Sequence, residues 1–282
     1  MEARATVFGA ISIVNAIATG RGATLGIDSE VEATVSATAG SGIHLVDGKN
    51  MSSKLINKVV ELSVPKKDLE RNKIEISLKS QIPTGYGLKS SSAISSAVSL
   101  ACHKMFRTKY TDTQVLLAGV EASIATKVSM TGAFDDACAC YYGGTVVTDN
   151  YKRRIVRSEK TPTGLAVVIF VPMSRRRGDI RQLRELKDVF ERAWDFASRG
   201  HYWNAMILNG LAGSTILNSD PGIISKAVEA GAIGVSVSGN GPAIAAVAKK
   251  DRIESVKKVF SGMEGRIVTP EINNKKAEVH GL

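Results

Sequence analysis

The sequence predicts an α+β protein of two lobes, and three observations carry that reading. Period-two alternation marks strands in the first half: Ile74, Ile76 and Leu78 share one face of residues 73–78, and Ile27, Val31, Ala33 and Val35 share one face of residues 24–38. Runs of helical spacing lie between and after them. From residue 165 onward, once extra helices are set aside, the elements fall in the order β-α-β-β-α-β of a ferredoxin-like lobe. A soft boundary near Thr161, in Thr161-Pro162-Thr163-Gly164, divides residues 1–160 from 161–282, with a shared cleft expected between the lobes. A chain of 282 residues is long enough to give both lobes proper cores.

Taken in order, Leu55, Ile56, Val59, Val60 and Leu62 follow helical spacing, with Ser52 or Ser53 as the cap. A helix rich in alanine and serine is expected over about 90–105, where small side chains permit close approach to a sheet or a ligand. Thr111 and Asp112 cap a further helix carrying Leu116, Leu117, Val120, Ile124 and Val128. Asp135 and Asp136 open a short helix that stops at Gly143-Gly144. Residues 144–148 and 153–157 form a hairpin around Asp149-Asn150. Beyond the boundary, a buried strand at 165–171 precedes helices near 180–198, 202–217 and 222–230. A strand at 233–237, a glycine turn, a strand at 243–248, a helix at 252–260 and a strand at 265–269 complete the chain.

One stretch stands out chemically: Ile82-Pro83-Thr84-Gly85-Tyr86-Gly87-Leu88-Lys89-Ser90-Ser91-Ser92-Ala93. Glycines let a backbone approach an anion, and serines can cap the helix whose first turn presents free N–H groups and a positive dipole end. Lys89 adds a full charge. These residues, Pro83 to Ala93, form a phosphate cradle. It is not a P-loop, because Leu88 separates Gly87 from Lys89. A second glycine segment, Val237-Ser238-Gly239-Asn240-Gly241-Pro242, lies between two apolar runs and alone reads as a tight hairpin.

Together the two glycine segments resemble the second and third motifs of the GHMP kinase superfamily, the galactose, homoserine, mevalonate and phosphomevalonate kinases. Thr131-Gly132-Ala133-Phe134-Asp135-Asp136-Ala137 with Gly143-Gly144 resembles that superfamily's aspartate segment. Within it, Gly-Leu-Lys-Ser-Ser-Ser in place of Gly-Leu-Gly-Ser-Ser, the opening Asn15-Ala16-Ile17-Ala18-Thr19-Gly20, and Thr-Gly-Ala-Phe-Asp-Asp-Ala are similar to the archaeal-type shikimate kinases over the whole chain. The resemblance implies a GHMP kinase-like two-lobe fold, with an N-terminal lobe like ribosomal S5 domain 2 and a ferredoxin-like C-terminal lobe. It implies ATP and Mg²⁺ as cofactors, and shikimate as the small-molecule substrate, phosphorylated on its 3-hydroxyl.

Phosphoryl transfer requires positioning and charge neutralisation more than covalent work. By resemblance, the Mg²⁺ ligands are Ser91 or Ser92 with Glu121, which alternatively is a solvated acid on a helix face. Asp135 or Asp136 serves the acceptor: counting back from Gly143 selects Asp136, and counting forward from Gly132 selects Asp135. Either is also a good helix cap. Several relatives carry a lysine in the first motif, whereas Arg21 is the only cation in residues 13–22 here, so a lysine from that motif is not carried over. For the substrate, Asn15, Thr19, Ser238, Gly239 and Gly241 suit a polar pocket. Arg175, Arg176, Arg177 and the nearby Arg181 offer bidentate partners for a carboxylate. His44 reads as structural.

Composition narrows the alternatives. Hydrophobic content of 44% and charged content of 23% are ordinary for a soluble enzyme. Three cysteines without Cys-x-x-Cys spacing argue for a reducing compartment and against a disulfide framework or a structural zinc. An early acid, Glu2, speaks against a secretory signal, and apolar runs such as 165–171 are too short to span a bilayer. A cytoplasmic protein, monomer or homodimer, is expected. The net charge of +10 permits nucleic-acid binding, but the cations are spread along the chain, so neither nucleic acid nor membrane is expected as a partner. The competing readings are another small-molecule kinase of the superfamily, such as a homoserine kinase, and a non-catalytic metabolite-binding regulator.

Overall fold

Strands β1 (Glu2–Val14) and β2 (Arg21–Ala39) pair antiparallel along nearly their whole length and form the spine of the first sheet. The computed structural model describes residues 2–48, 51–107 and 109–281. From Val7 to Val14 every residue of β1 is buried. A strand covered on both faces loses its alternation and reads as an unbroken apolar run. In β2 the expected inward residues Ile27, Val31, Ala33 and Val35 are at most 1% exposed. Short strand β3 (Ile43–Leu45) lies parallel to the edge of the sheet. Helix α1 (Ser53–Ser63), capped by the Ser52 hydroxyl, and the single turn α2 (Lys66–Leu69) lead into β4 (Asn72–Ser80), which pairs with the second half of β2.

Helices α3 (Ser90–Phe106), α4 (Asp112–Ala125) and α5 (Phe134–Tyr142) follow, and α3 and α5 pack on β1 and β2. Helix α4 starts at a capping box between Thr111 and Gln114. It ends before Val128, because Lys127 takes a left-handed φ of 60°. The hairpin β5 (Thr145–Asp149) and β6 (Arg154–Glu159) extends the first half of β2.

The second sheet contains β7 (Leu165–Pro172), β8 (Ala232–Val237), β9 (Ile244–Lys249) and β10 (Gly265–Val268), in the order β10-β7-β9-β8. Between β7 and β8 lie α6 (Lys187–Ser198), α7 (Tyr202–Ile216) and α8 (Pro221–Glu229), and α9 (Ile253–Val259) precedes β10. The helix expected over 180–198 is divided, with a 3-10 segment at Ile180–Leu186 before α6. Helix α7 packs against β1, so one hydrophobic core runs from Val7 and Ile11 through Met206 to Ala245.

The chain's end departs from the expected 161–282 grouping. After β10 it crosses back to the first sheet, where Asp28 N–H donates to the Glu271 carbonyl at 3.0 Å and Asn273 N–H to the Gly26 carbonyl at 3.1 Å. Strand β11 (Glu278–Gly281) then pairs with β1, from Ala3↔Gly281 to Thr6↔Glu278. No helix among the described residues is long and apolar enough to cross a membrane.

Candidate active site

The loop leaving β4 holds Gly85 and Gly87 at φ of +83° and +81°, a region most side chains avoid. A Cβ on Gly87 would also run into the carbonyl oxygen of Ser238. Helix α3 opens on Lys89, left-handed at φ 63° and ψ 22°, with no side-chain cap. The expected serine cap is therefore corrected: Ser90, Ser91 and Ser92 form the first turn itself. The first ladder bond runs from the Ala93 N–H to the Lys89 carbonyl at 3.0 Å. The amides of the three serines thus stay outside the ladder, at the positive end of the helix.

Helix α5 also opens on a left-handed residue, Ala133 at φ 52°, again without a side-chain cap. Neither aspartate is the cap, so both carboxylates are available for other work. Asp135 is 3% exposed. Its Oδ1 accepts from Asn150 Nδ2 at 2.7 Å, its Oδ2 from Thr24 Oγ1 at 3.2 Å, and its N–H donates to Asn150 Oδ1 at 3.1 Å. Burial, and then the charge of Asp136, push its carboxyl up to about 6 against the opposing effects of Lys89 and Asn150. Asp136 is less enclosed. Its Oδ1 lies 3.3 Å from Thr24 Oγ1 and 3.0 Å from Lys89 Nζ, while its Oδ2 has no partner among the described residues.

Lys89, read from the sequence as a phosphate partner, thus turns its ammonium toward Asp136 and also donates to Ser12 Oγ at 2.7 Å. The cation beside the carboxylates comes from the glycine loop, where most of the resembling kinases have glycine, and not from the first strand. The Gly239 segment closes over this point. Asn15 Nδ2 donates to the Gly239 carbonyl at 2.7 Å, and the Asn15 N–H to Asn209 Oδ1 at 2.8 Å.

A cavity of about 420 Å³ joins these parts. It takes in Gly85, residues 87–92, both aspartates, Asn15, Arg177 and Gly239. Other expected residues lie elsewhere. Ala93 is fully buried in α3, Thr19 is turned back on Arg21, and Ser238 and Gly241 shape the turn behind Gly239. Pro83 faces a different cavity of about 640 Å³, which Arg175 also lines while stacking over the Tyr86 ring at 5.2 Å. Arg176 is exposed, and Arg181 is held by its neighbour Asp179. Glu121 does not line the cleft; its carboxylate pairs with Arg153.

Sequence reasoning missed Ser12, Thr24, Asn150 and Lys127, of which Ser12 and Lys127 line the cleft. A hydroxyl between two buried isoleucines, Ile11-Ser12-Ile13, was the available signal for the first. Among the described residues no group of three His, Cys, Asp or Glu side chains is set to hold a metal. The oxygen donors lining the cleft include the hydroxyls of Ser91 and Ser92 and the carboxylates of Asp135 and Asp136. That set fits Mg²⁺, which takes one or two protein oxygens and completes its shell with water and phosphate.

The two sheets and this cleft have the architecture of the GHMP kinases. The family model for the GHMP kinases N terminal domain matches residues 54–144. The fold is similar to a homoserine kinase from Cytophaga hutchinsonii, with a TM-score of 0.76 and 19% identity over 99% of this chain and 97% of that one. It is also similar to the Methanococcus jannaschii mevalonate kinase, with a TM-score of 0.71 and 15% identity over 97% and 98%. Sequence relatives are more specific. A shikimate kinase from Methanosarcina acetivorans is 38% identical over 284 residues, 98% of this chain and 96% of that protein. One from Pyrococcus furiosus is 38% identical over 263 residues, 89% and 93% of the two chains. The chain belongs to the family of archaeal shikimate kinases.

Proposed function

We propose that the chain transfers the γ-phosphoryl group of ATP to the 3-hydroxyl of shikimate, giving 3-phosphoshikimate and ADP. The observation that carries this reading is the meeting, in one cleft, of a free helix N-terminus and a lysine-paired carboxylate with an unpartnered oxygen, in a chain of the shikimate kinase family. The amides of Ser90, Ser91 and Ser92 receive the phosphate oxygens. Ser91 or Ser92 and a cleft carboxylate would hold Mg²⁺, which when bound supplies charge neutralisation of the phosphates.

Asp136 orients the acceptor hydroxyl through Oδ2 and takes its proton as the oxygen bonds to the γ-phosphorus and the bond to the β-phosphate oxygen breaks. A loose transition state asks little of a base, so a carboxylate beside a lysine suffices. Asp135, tied down by Asn150 and Thr24, fixes the start of α5 and adds negative charge behind Asp136. Arg177 and Lys127, which both line the cleft, supply cations for the substrate carboxylate. Arg175 moves from the acceptor side to the nucleotide side, because its cavity adjoins the outer face of the same loop.

A coupled assay of ADP release with shikimate, homoserine, mevalonate and galactose tests the reading, with the product's mass checked for one added phosphoryl group. Turnover is expected with shikimate and its loss with EDTA. Phosphorylation of a different alcohol in the set, and not shikimate, overturns the assignment.

A further inference from the structure

Ser12 has no place in the chemistry above, yet it is the most connected polar residue of the first strand. It is 1% exposed between Ile11 and Ile13, both fully buried. A hydroxyl in such a place is costly unless bonded, and this one accepts twice, from Lys89 Nζ at 2.7 Å and from the Gly239 N–H at 2.9 Å. Those two bonds use both of its lone pairs. The β1–β2 pairing shifts register between Ser12 and Val14, an irregularity of the kind that re-aims groups beside a site. The Ser12 N–H donates to Ser238 Oγ at 3.2 Å, and Ser238 Oγ donates to the Gly87 carbonyl at 2.8 Å. A closed circuit results: Ser12 to Lys89, along the loop to Gly87, across to Ser238, and back to Ser12.

We infer that Ser12 is a positioning residue that holds Lys89 against Asp136, and that it does so with the Gly239 turn of the second sheet seated on the first strand. This deepens the kinase reading and rests on it. A lysine side chain is long and loses much rotamer freedom when fixed. Beside a phosphate cradle its ammonium has a competing attraction, the phosphates themselves. Ser12 supplies the bond that keeps the ammonium on the carboxylate side. Because the same hydroxyl also accepts from Gly239, the lysine is set only when the two sheets are in register. The titratable and charged groups facing the pair are Asp135 on α5, Lys127 after α4, Arg177 from the second sheet's side, and the buried thiols of Cys138 and Cys140. Burial pushes both thiols well up, so they stay neutral.

The test is Ser12→Ala, which removes the hydroxyl with little change in volume. Loss of alignment predicts a fall in kcat of about tenfold to a hundredfold, with both KM values within about threefold of wild type. The acid limb of kcat/KM should move to higher pH, since a lysine no longer held there favours the ionised form of Asp135 less. In a double-mutant cycle with Lys89→Met, adding Ser12→Ala should cost less than about twofold more, because the lysine it positions is gone. Titration of the Asp135 side-chain carboxyl ¹³C resonance, which Lys89 holds down, reads the same alkaline shift without turnover. Wild-type kcat and titration in Ser12→Ala, or an equal cost in both backgrounds, overturns the inference. A moved titration in a protein that phosphorylates no shikimate would instead sink the functional reading and leave Ser12 in place.

Discussion

The inner wall of the cleft and its outer rim are built on opposite plans. On the wall, Lys89 is 6% exposed and Asp136 15%, and the polar side chains from Ser12 to Asn150 are bonded to one another. On the rim, the arginine segment is solvated, with Arg181 78% exposed and satisfied by its own neighbour Asp179. Groups preorganised in a dry wall stabilise developing charge without reorganising at the moment of reaction. Solvated rim cations cost little to keep free and contribute when a substrate strips water from them. The wall should therefore govern kcat, and the rim KM.

The largest effect that could break this division lies at Asp136. Asp136→Asn keeps the shape and one acceptor oxygen but removes the charge and the proton acceptor. A fall in kcat of about 10²–10⁴-fold is expected, with nucleotide affinity, measured by calorimetry, near wild type. A loss of only a few-fold would reduce the wall to a structural network.

A second test sharpens the wall by its pH dependence. Asn150 donates to Asp135 and so favours its ionised form. Asn150→Ala should push that carboxyl further up and move the acid limb of kcat/KM above its wild-type position, with the greatest loss of rate below neutral pH. The sign for folding is fixed by the same group. A carboxyl whose folded value is raised to about 6 contributes stability that is present below its unfolded value and is lost as pH rises through about 6. Thermal midpoints across that window should fall for the wild type and fall further for Asn150→Ala. An unmoved limb would mean that Asp135 does not control the rate.

The division also explains what could be read before the structure. Strand β4 and the second half of β2 were legible because one face is covered, and the cradle because its residues are contiguous. Strand β1 hid its pattern by being buried on both sides. Strand β11 is four residues long and gains meaning only from pairing with β1 at the other end of the chain. The left-handed openings at Lys89 and Ala133 carry no glycine to announce them. The wall is assembled from Ser12, Thr24, Lys89, Asp136 and Asn150 on separate elements, so no local spacing points to it. Asn150 was placed correctly in a turn, but its second role needs Asp135 beside it.

On the rim, Arg177→Ala should raise KM for shikimate by about tenfold, the loss of one charge-assisted contact of about 1.4 kcal/mol, with kcat and the KM for ATP little changed. Lysine at that position should restore part of the affinity, since a point charge lacks the guanidinium fork. Arg176→Ala and Arg181→Ala should leave both constants near wild type. Equal losses in all three would mean that the segment acts by its summed charge and that no single arginine faces the substrate.

The smallest expected effect is at Glu121, and it tests where the wall ends. Resemblance places this acid among the Mg²⁺ ligands, whereas its side chain is 41% exposed, pairs with Arg153 and lies outside the cleft. An exposed pair of this kind contributes at most about 1 kcal/mol to stability. Glu121→Gln should therefore change kcat by less than about twofold and leave the Mg²⁺ concentration for half-maximal rate where it is. Arg153→Ala separates the remaining alternative. If Glu121 swings into the cleft to meet the ion, releasing it from Arg153 should lower the Mg²⁺ requirement, and Glu121→Gln should raise it. If both variants leave the Mg²⁺ titration unchanged, the ion is held from the serine turn and the cleft carboxylates, and Glu121 belongs to the surface.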